Sequence, residues 1–384
     1  MLRTQGLPYW RLSGFYFCYF AIVGTLVPYF SLYYLHLGFN AAQIGQLGGA
    51  VVLGRVIAPT CWGWIADHFG RRMPIVRWTL LLSTLSFLPF LLLHGFGALL
   101  AVMLVFGFFW SASLPLFEAT TLNHLGERVG AYTHVRIWGS IGFIIAVTVL
   151  GSAIERWSVI LAPVAVFALL AATWGLSLAT PERGLVQASA MRQPFRAVLF
   201  RPEVLALFAV CFLLQLAYGP YYNFYSVFLE RHGYSPSMIG RLWALGVLAE
   251  VAIFIVMQRL LRRYSLRSLM LASGLSAVIR WPMIAFGVNS LGVLVGAQLL
   301  HALTFGVQHA AAMQLIHRYF KGYHQGRGQA LYSSLAYGLG GASGAVASGY
   351  AWELAGATWT FIAAAVCSAL AVAIAWRWLE TAPG

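Results

Sequence analysis

Four ionisable side chains sit midway along stretches that are otherwise apolar: Arg55, Glu250, Arg280 and His301. His309 follows about two turns beyond His301, broadly on the same side. An ionised group at the centre of a membrane helix costs roughly 2.5–3.5 kcal/mol on insertion scales. Such residues therefore face an internal cavity and mark a solute pathway or a proton relay. A histidine and a carboxylate at one depth can pass a proton between them near neutral pH, which makes Glu250, Arg280, His301 and His309 candidates for proton coupling. The alternative for Glu250 with Arg280 or His301 is a static ion pair, and for His301 alone a packing role. Glu118 and Arg136 flank one short connection and can pair across two helices, either as a solute site or as a lock. His36, His317 and His324 read as solvated.

Aromatic and amide groups gather at the start of each half of the chain. One set is Tyr16, Tyr19, Tyr29 and Tyr33; the other is Gln215, Tyr218, Tyr221, Tyr222, Asn223 and Tyr225. Tyr218, Tyr222 and Tyr225 share a face by helical spacing. A cavity lined by such rings, with Gln215, suits a ring-bearing or polar organic solute. The competing role is the interfacial tyrosine belt, which is the reading for Tyr33 and Tyr34; Tyr218 and Tyr222 stay open between the two.

These residues need elements that cross a bilayer. Of 384 residues, 60% are hydrophobic and 9% charged, against about 25% charged in soluble domains. At about 20 apolar residues per span, the sequence divides into twelve: 12–35, 43–66, 75–94, 97–122, 133–152, 158–178, then 204–229, 237–261, 268–287, 290–317, 325–350 and 358–379. The first span is followed at once by a second and reads as an anchor rather than a cleaved leader. Pro28, Pro115 and Pro282 are candidate breaks within spans. Spans five and eleven are rich in small residues, which permits close helix approach.

The net charge of +14 does not indicate nucleic acid, because the basic residues fall in short breaks between spans rather than on one face. Arg71, Arg72, Arg128, Arg183, Arg192, Arg196, Arg201, Arg262, Arg263, Arg267, Arg318, Lys321 and Arg327 mark one side, against Arg156 and Arg231 on the other. The first side is cytoplasmic and carries both termini. The four cysteines, Cys18, Cys61, Cys211 and Cys367, lie in apolar stretches without metal or disulfide spacing.

Residues 179–203 form the longest connection and divide the chain into two six-helix bundles, 1–178 and 204–384. A repeat supports the division. Gly38-Phe39-Asn40-Ala41-Ala42-Gln43-Ile44-Gly45-Gln46-Leu47 matches Gly233-Tyr234-Ser235-Pro236-Ser237-Met238-Ile239-Gly240-Arg241-Leu242 at an offset of 195. The same offset sets Arg55 opposite Glu250. The fold class expected is thus an all-α membrane protein of twelve helices in two pseudo-symmetric bundles, a design in which solute binds where the halves meet.

Gly63-Trp64-Ile65-Ala66-Asp67-His68-Phe69-Gly70-Arg71-Arg72 closes span two. It resembles the loop signature of the major facilitator superfamily, whose gating residues would be Gly63, Asp67, Gly70, Arg71 and Arg72. Gly70 allows a tight turn, and Asp67 can face a helix N-terminus or an arginine in one transport state. The corresponding stretch from Arg259 to Arg267 lacks both glycine and aspartate. Further blocks resemble the 3-phenylpropionate permease-like branch, which is related to lactose permease and to nucleoside–proton symporters. They are Val135-Arg136-Ile137-Trp138-Gly139-Ser140, Leu245-Gly246-Val247-Leu248-Ala249-Glu250, Val278-Ile279-Arg280-Trp281, His301-Ala302-Leu303-Thr304-Phe305 and His309-Ala310-Ala311-Ala312-Met313. The resemblance implies solute recognition by Glu118 and Arg136, proton coupling through Glu250, Arg280, His301 and His309, and a carboxylate held by Arg55. The sequence departs from lactose permease in having no acid near the histidines of span ten.

The expected function is secondary active transport of a small organic solute, such as an aromatic carboxylate of the phenylpropionate kind, by proton symport with alternating access across a bacterial inner membrane. Sugar or nucleoside symport and drug-type efflux by antiport are the alternatives. The expected partners are the solute, the proton as coupling ion and the lipid bilayer, with no cofactor and no metal, in a monomer. An enzyme is disfavoured because the chain has no HExxH, no GxSxG and no compact nucleophile–base set, and a sensor because it has no soluble output domain.

Overall fold

The computed structural model describes residues 7–126, 131–183, 195–322 and 324–379, with the backbone but not the side chain of Asp67. Arg128, Arg192 and the 184–194 part of the long connection lie outside the described residues. The described residues hold helices and no strand. That follows from the composition, since in lipid each backbone polar group must be paired within its own segment.

The first six helices are α1 (Tyr9–His36), α2 (Ala41–Phe69), α3 (Met73–Phe87, continued by the 3-10 turn Leu88–Leu91), α4 (Phe96–Leu125), α5 (Tyr132–Arg156) and α6 (Leu161–Ala179). A short helix, Phe195–Leu199, precedes the second set. There α7 runs in two segments, Pro202–Ala217 and Gly219–Arg231, followed by α8 (Pro236–Arg263) and α9 (Leu266–Gly287). Next, α10 is made of Leu291–Leu299 and Gln308–Tyr319 with a π-helical turn, Ala302–Val307, between them. The stretch His324–Trp378 is broken by Gly356 at φ 81°, which divides it into α11 (324–355) and α12 (357–378). A second π-helical turn, Ser333–Gly340, lies inside α11. Among the described residues, eleven stretches are long and apolar enough to cross a membrane, and the last, of 55 residues, contains both final spans.

The repeat is visible in the backbone. α1 and α7 each end in a left-handed glycine, Gly38 at φ 82° and Gly233 at φ 84°. In each, the N–H of the next residue reaches back across the turn, Phe39 to the Tyr34 carbonyl and Tyr234 to the Leu229 carbonyl, both at 3.1 Å. This is the glycine-terminated helix end that satisfies the last carbonyls.

The chain forms two compact units. One contains Met1–Phe39, Ala50–Gln187 and Ser235–Arg241; the other contains Asn40–Gly49, Ala188–Tyr234 and Leu242–Gly384. The starts of α2 and α8 are therefore each grouped with the opposite set of helices. Small residues set the closest crossings within each unit. In the first, α1 lies on α5, where a Cβ at Gly142 would run into the Phe17 carbonyl and one at Gly24 would stand 2.9 Å from the Phe143 carbonyl oxygen. In the second, a Cβ at Gly344 of α11 would stand 2.5 Å from the Leu216 carbonyl oxygen. Backbone cannot yield as a side chain does, so Gly142→Val should destabilise the first unit by about 1–3 kcal/mol or more. The expected result is a loss of monodisperse protein in fluorescence-detected size exclusion.

Several sequence expectations are corrected. α1, α4 and α9 pass through Pro28, Pro115 and Pro282 without a break, because neighbouring helices and side chains can re-satisfy what a proline frees. The interruptions fall instead at Tyr218 and at the two π turns. Tyr33 and Tyr34 are buried, at 4% and 2% exposure, in a cluster with Phe30 and Phe90, and do not form an interfacial belt. His324 is also buried, with its ring 5.5 Å from that of Phe195.

Candidate functional site

The first unit holds an acid–arginine pair. Glu118 is on α4 just past Pro115, and Arg136 is in the second turn of α5. Arg136 Nε lies 3.9 Å from Glu118 Oε1, and their side chains remain 31% and 34% exposed. Tyr132, one turn before Arg136, donates its hydroxyl to Glu118 Oε1 at 3.2 Å. The guanidinium lies over the Phe20 ring, 3.9 Å from its centroid, and 5.6 Å from that of Tyr16. Gly139 leaves the room this requires, since a Cβ there would stand 2.7 Å from Arg136 Nη1. Tyr19 stacks on Trp110 at 5.0 Å. Arg55, half-buried on α2, is close enough to Tyr19 to interact electrostatically and has no hydrogen-bond or ion-pair partner among the described residues.

The second unit holds the other charges. Glu250 on α8 and His301 on α10 approach to 3.8 Å between Oε2 and Nε2, with side chains 22% and 7% exposed. The opposite ring nitrogen, Nδ1, is 3.4 Å from the Tyr218 hydroxyl. Arg280 on α9 is fully buried. Its Nε donates to the Ala297 carbonyl at 2.8 Å, its Nη1 to the hydroxyls of Thr304 at 3.2 Å and Tyr218 at 3.3 Å, and its Nη2 to Gln298 Oε1 at 3.5 Å. Tyr221 donates to the same Gln298 oxygen at 2.9 Å, and its ring centroid lies 4.2 Å from the guanidinium carbon. Each of these acceptors is neutral. A buried cation is tolerable only when its donors are satisfied, and ring faces add to that.

Tyr218 therefore belongs to the Arg280–His301–Thr304 network at 2% exposure, and it carries Tyr222 stacked on it at 5.0 Å. Tyr225 does not join them on one face. It lies against Tyr221, four residues earlier, at 5.1 Å and Trp243 at 5.8 Å. Gln215 is buried, with its Cβ beside Gly340 of α11. His309 is carried apart from the Glu250–His301 pair. Phe305 lies between the two histidines, with nearly parallel rings 5.5 Å and 6.2 Å from them. His309 Nδ1 meets the Tyr337 hydroxyl at 2.9 Å and that of Tyr332 at 3.4 Å.

Of the proposed gating residues, Gly63 and Asp67 lie in α2, Gly70 ends it at φ 65°, Arg71 is exposed and Arg72 directly precedes α3. The Asp67 side chain is outside the described residues. The sequence reading missed Glu182, whose carboxylate accepts the Met73 N–H at 2.8 Å and caps α3. It also missed Gln298 and Thr304, whose only signal was a polar residue inside an apolar span.

A family model described as the MFS_1 like family matches residues 9–363. Over 351 residues the chain is 31% identical to a protein of Escherichia coli (strain K12) named probable 3-phenylpropionic acid transporter, covering 90% of this chain and 92% of that one. Over 370 residues it is 24% identical to the maltose permease of Geobacillus stearothermophilus, covering 94% and 92%. Among solved structures, the nucleoside transporter NupG superposes with a TM-score of 0.85 at 17% identity, over 97% of this chain and 99% of that one. A bacterial homolog of the human lysosomal transporter Spinster gives 0.73 at 15%, over 98% and 99%. At such identities the structural likeness bears on the fold alone.

Proposed function

The chain belongs to the MFS_1 like family of major facilitator transporters, and from that premise we propose that it carries a neutral, hydroxylated, ring-bearing solute of the nucleoside or sugar class by proton symport. Secondary transport, a bacterial multi-pass membrane setting and the absence of catalysis come with the family and its relatives; solute and coupling are the proposal.

The observation that carries it is the state of Arg136. Its charge is already matched by Glu118 at 3.9 Å, so an incoming carboxylate would meet an acid as well as a base. A hydroxylated ring finds a donor and an acceptor in one pair and the Phe20 face beside it. Glu250 with His301 supplies a separate group that can take a proton. Alternating access between cytoplasm and exterior, with the Gly63–Arg72 loop as its gate and both termini cytoplasmic, completes the scheme. A second reading, transport of an aromatic carboxylate, is favoured by Arg55, which makes no ion pair among the described residues, and by the E. coli relative. Among the sequence relatives the named solutes include both an aromatic acid and a sugar, so charge has to decide.

Thermal unfolding of the purified protein with uridine, maltose and 3-phenylpropionate separates the readings. A neutral solute should raise Tm by several degrees and 3-phenylpropionate should not. A shift with the acid alone, lost in Arg55→Gln, would reverse the order. Uptake driven by an imposed pH gradient of either sign, with counterflow as the gradient-free control, then distinguishes symport from efflux exchange.

A further inference from the structure

Two glycines face the proton pair from opposite helices, and nothing in the motif reading accounts for them. Gly246 lies one turn before Glu250 on α8. A Cβ there would stand 2.9 Å from Gln298 Oε1 and 3.6 Å from His301 Cδ2. Gly306 lies in the wide turn of α10, five residues after His301. A Cβ there would stand 2.7 Å from Ile253 Cγ2 and 3.6 Å from Glu250 Cγ. Each helix thus presents a bare backbone opposite the other helix's ionisable side chain.

Neither neighbour can yield cheaply. Ile253 Cγ2 is attached at the branched carbon and is stiff about χ1. Gln298 ends in a flexible amide, but it is fully buried and its oxygen is shared by Tyr221 and Arg280. Moving that oxygen disturbs the set of acceptors that holds Arg280, and through Thr304 and Tyr218 the ring of His301. Real Cβ contacts below 3.0 Å essentially do not occur, so a methyl at either position has to push α8 and α10 apart or turn a side chain. A hydrogen bond weakens steeply beyond about 3.2 Å. The Glu250–His301 pair is already at 3.8 Å, so it closes to a proton-passing distance only if the helices can come nearer still.

We propose that Gly246 and Gly306 are positioning residues for proton coupling: their missing side chains set the separation of Glu250 from His301. The proposal rests on Glu250 carrying the proton. Enlarging either glycine should uncouple transport rather than stop it.

The test uses the full chain in proteoliposomes with labelled uridine, maltose and 3-phenylpropionate, comparing uptake driven by an imposed pH gradient with counterflow. Gly306→Ala should lose at least tenfold in driven uptake while counterflow stays within about twofold, and the pH profile of counterflow should shift. Ile253→Ala added to Gly306→Ala removes the Cγ2 methyl and should restore driven uptake to within about threefold. Equal loss of both activities, or no rescue, would overturn the proposal. Should Gly306→Ala not reach the membrane, Gly246→Ala carries the same comparison of driven uptake with counterflow, without the Ile253 rescue, and equal loss of both activities there overturns the proposal. Glu250→Gln run alongside separates the two claims. If it leaves driven uptake intact, the assignment of the proton to Glu250 fails. If it uncouples and the glycine variants do not, the positioning role alone fails.

Discussion

Glu118→Gln should change what the protein accepts, not merely how well it works. In the wild type the Glu118 carboxylate holds Arg136 through a contact of 3.9 Å and receives the Tyr132 hydroxyl. The amide keeps an acceptor for Tyr132 but cancels the negative charge. A charge-assisted hydrogen bond contributes about 1.5–3 kcal/mol, so uptake of a neutral hydroxylated solute should fall by about 10–100-fold. The same change leaves the Arg136 guanidinium unmatched, and 3-phenylpropionate should then produce a thermal shift that it does not produce in the wild type. Arg136→Lys is the companion variant. It retains the charge but loses the planar fork and the stacking on Phe20, so the loss should appear for neutral solutes without any gain for acids. Both are read by uptake and by Tm. An unaltered solute profile in Glu118→Gln would remove the pair from recognition and leave it as a lock between α4 and α5.

The second large effect is expected at Glu250. Glu250→Gln is close to isosteric and leaves His301 an amide neighbour in place of a carboxylate. The side chain it replaces is partly exposed while His301 is almost closed off. The carboxylate is the more accessible of the two groups. Gradient-driven accumulation should fall by about 100-fold, to the level of vesicles without protein, whereas counterflow, which needs no net proton movement, should persist. His301→Gln should give a milder form of the same split, because it removes the partner but not the proton carrier. Driven uptake surviving unchanged in Glu250→Gln would move the coupling elsewhere, with His309 and its tyrosines the next group to examine.

Much of this was legible in the sequence wherever cost forces function. Charges in apolar spans are expensive, so Glu118, Arg136, Glu250, Arg280 and His301 stand out by themselves, and the two pairs that form are an acid and a base at one depth. The Gly38 and Gly233 segments were legible as a repeat, whereas the left-handed helix end that each glycine makes is seen only in the backbone. Harder to read were the neutral partners. Gln298 and Thr304 follow no period and look like ordinary polar substitutions within α10, yet they are what Arg280 bonds to. The break at Tyr218 leaves the Tyr218–Tyr222 spacing intact, but Tyr225 meets Tyr221 rather than Tyr222, a choice of neighbour that spacing alone does not make. Pi-helical turns have no residue signature, so the position of His309 against Tyr337 could not be read from its distance along the chain. Gly246 and Gly306 were invisible for a different reason: their role is an absence of atoms, which acquires meaning only once Gln298 and Ile253 are seen opposite.

The break at Gly356 has a mechanical consequence. α11 and α12 are joined by one residue at φ 81°, with no intervening loop and hence no slack. α11 carries Tyr337, which holds His309. α12 carries Ser368, which receives the indole N–H of Trp281 at 3.0 Å, next door to Arg280. The two histidine neighbourhoods are thus fastened to two helices that meet at a single glycine, which makes Gly356 the one place where their relative tilt is set.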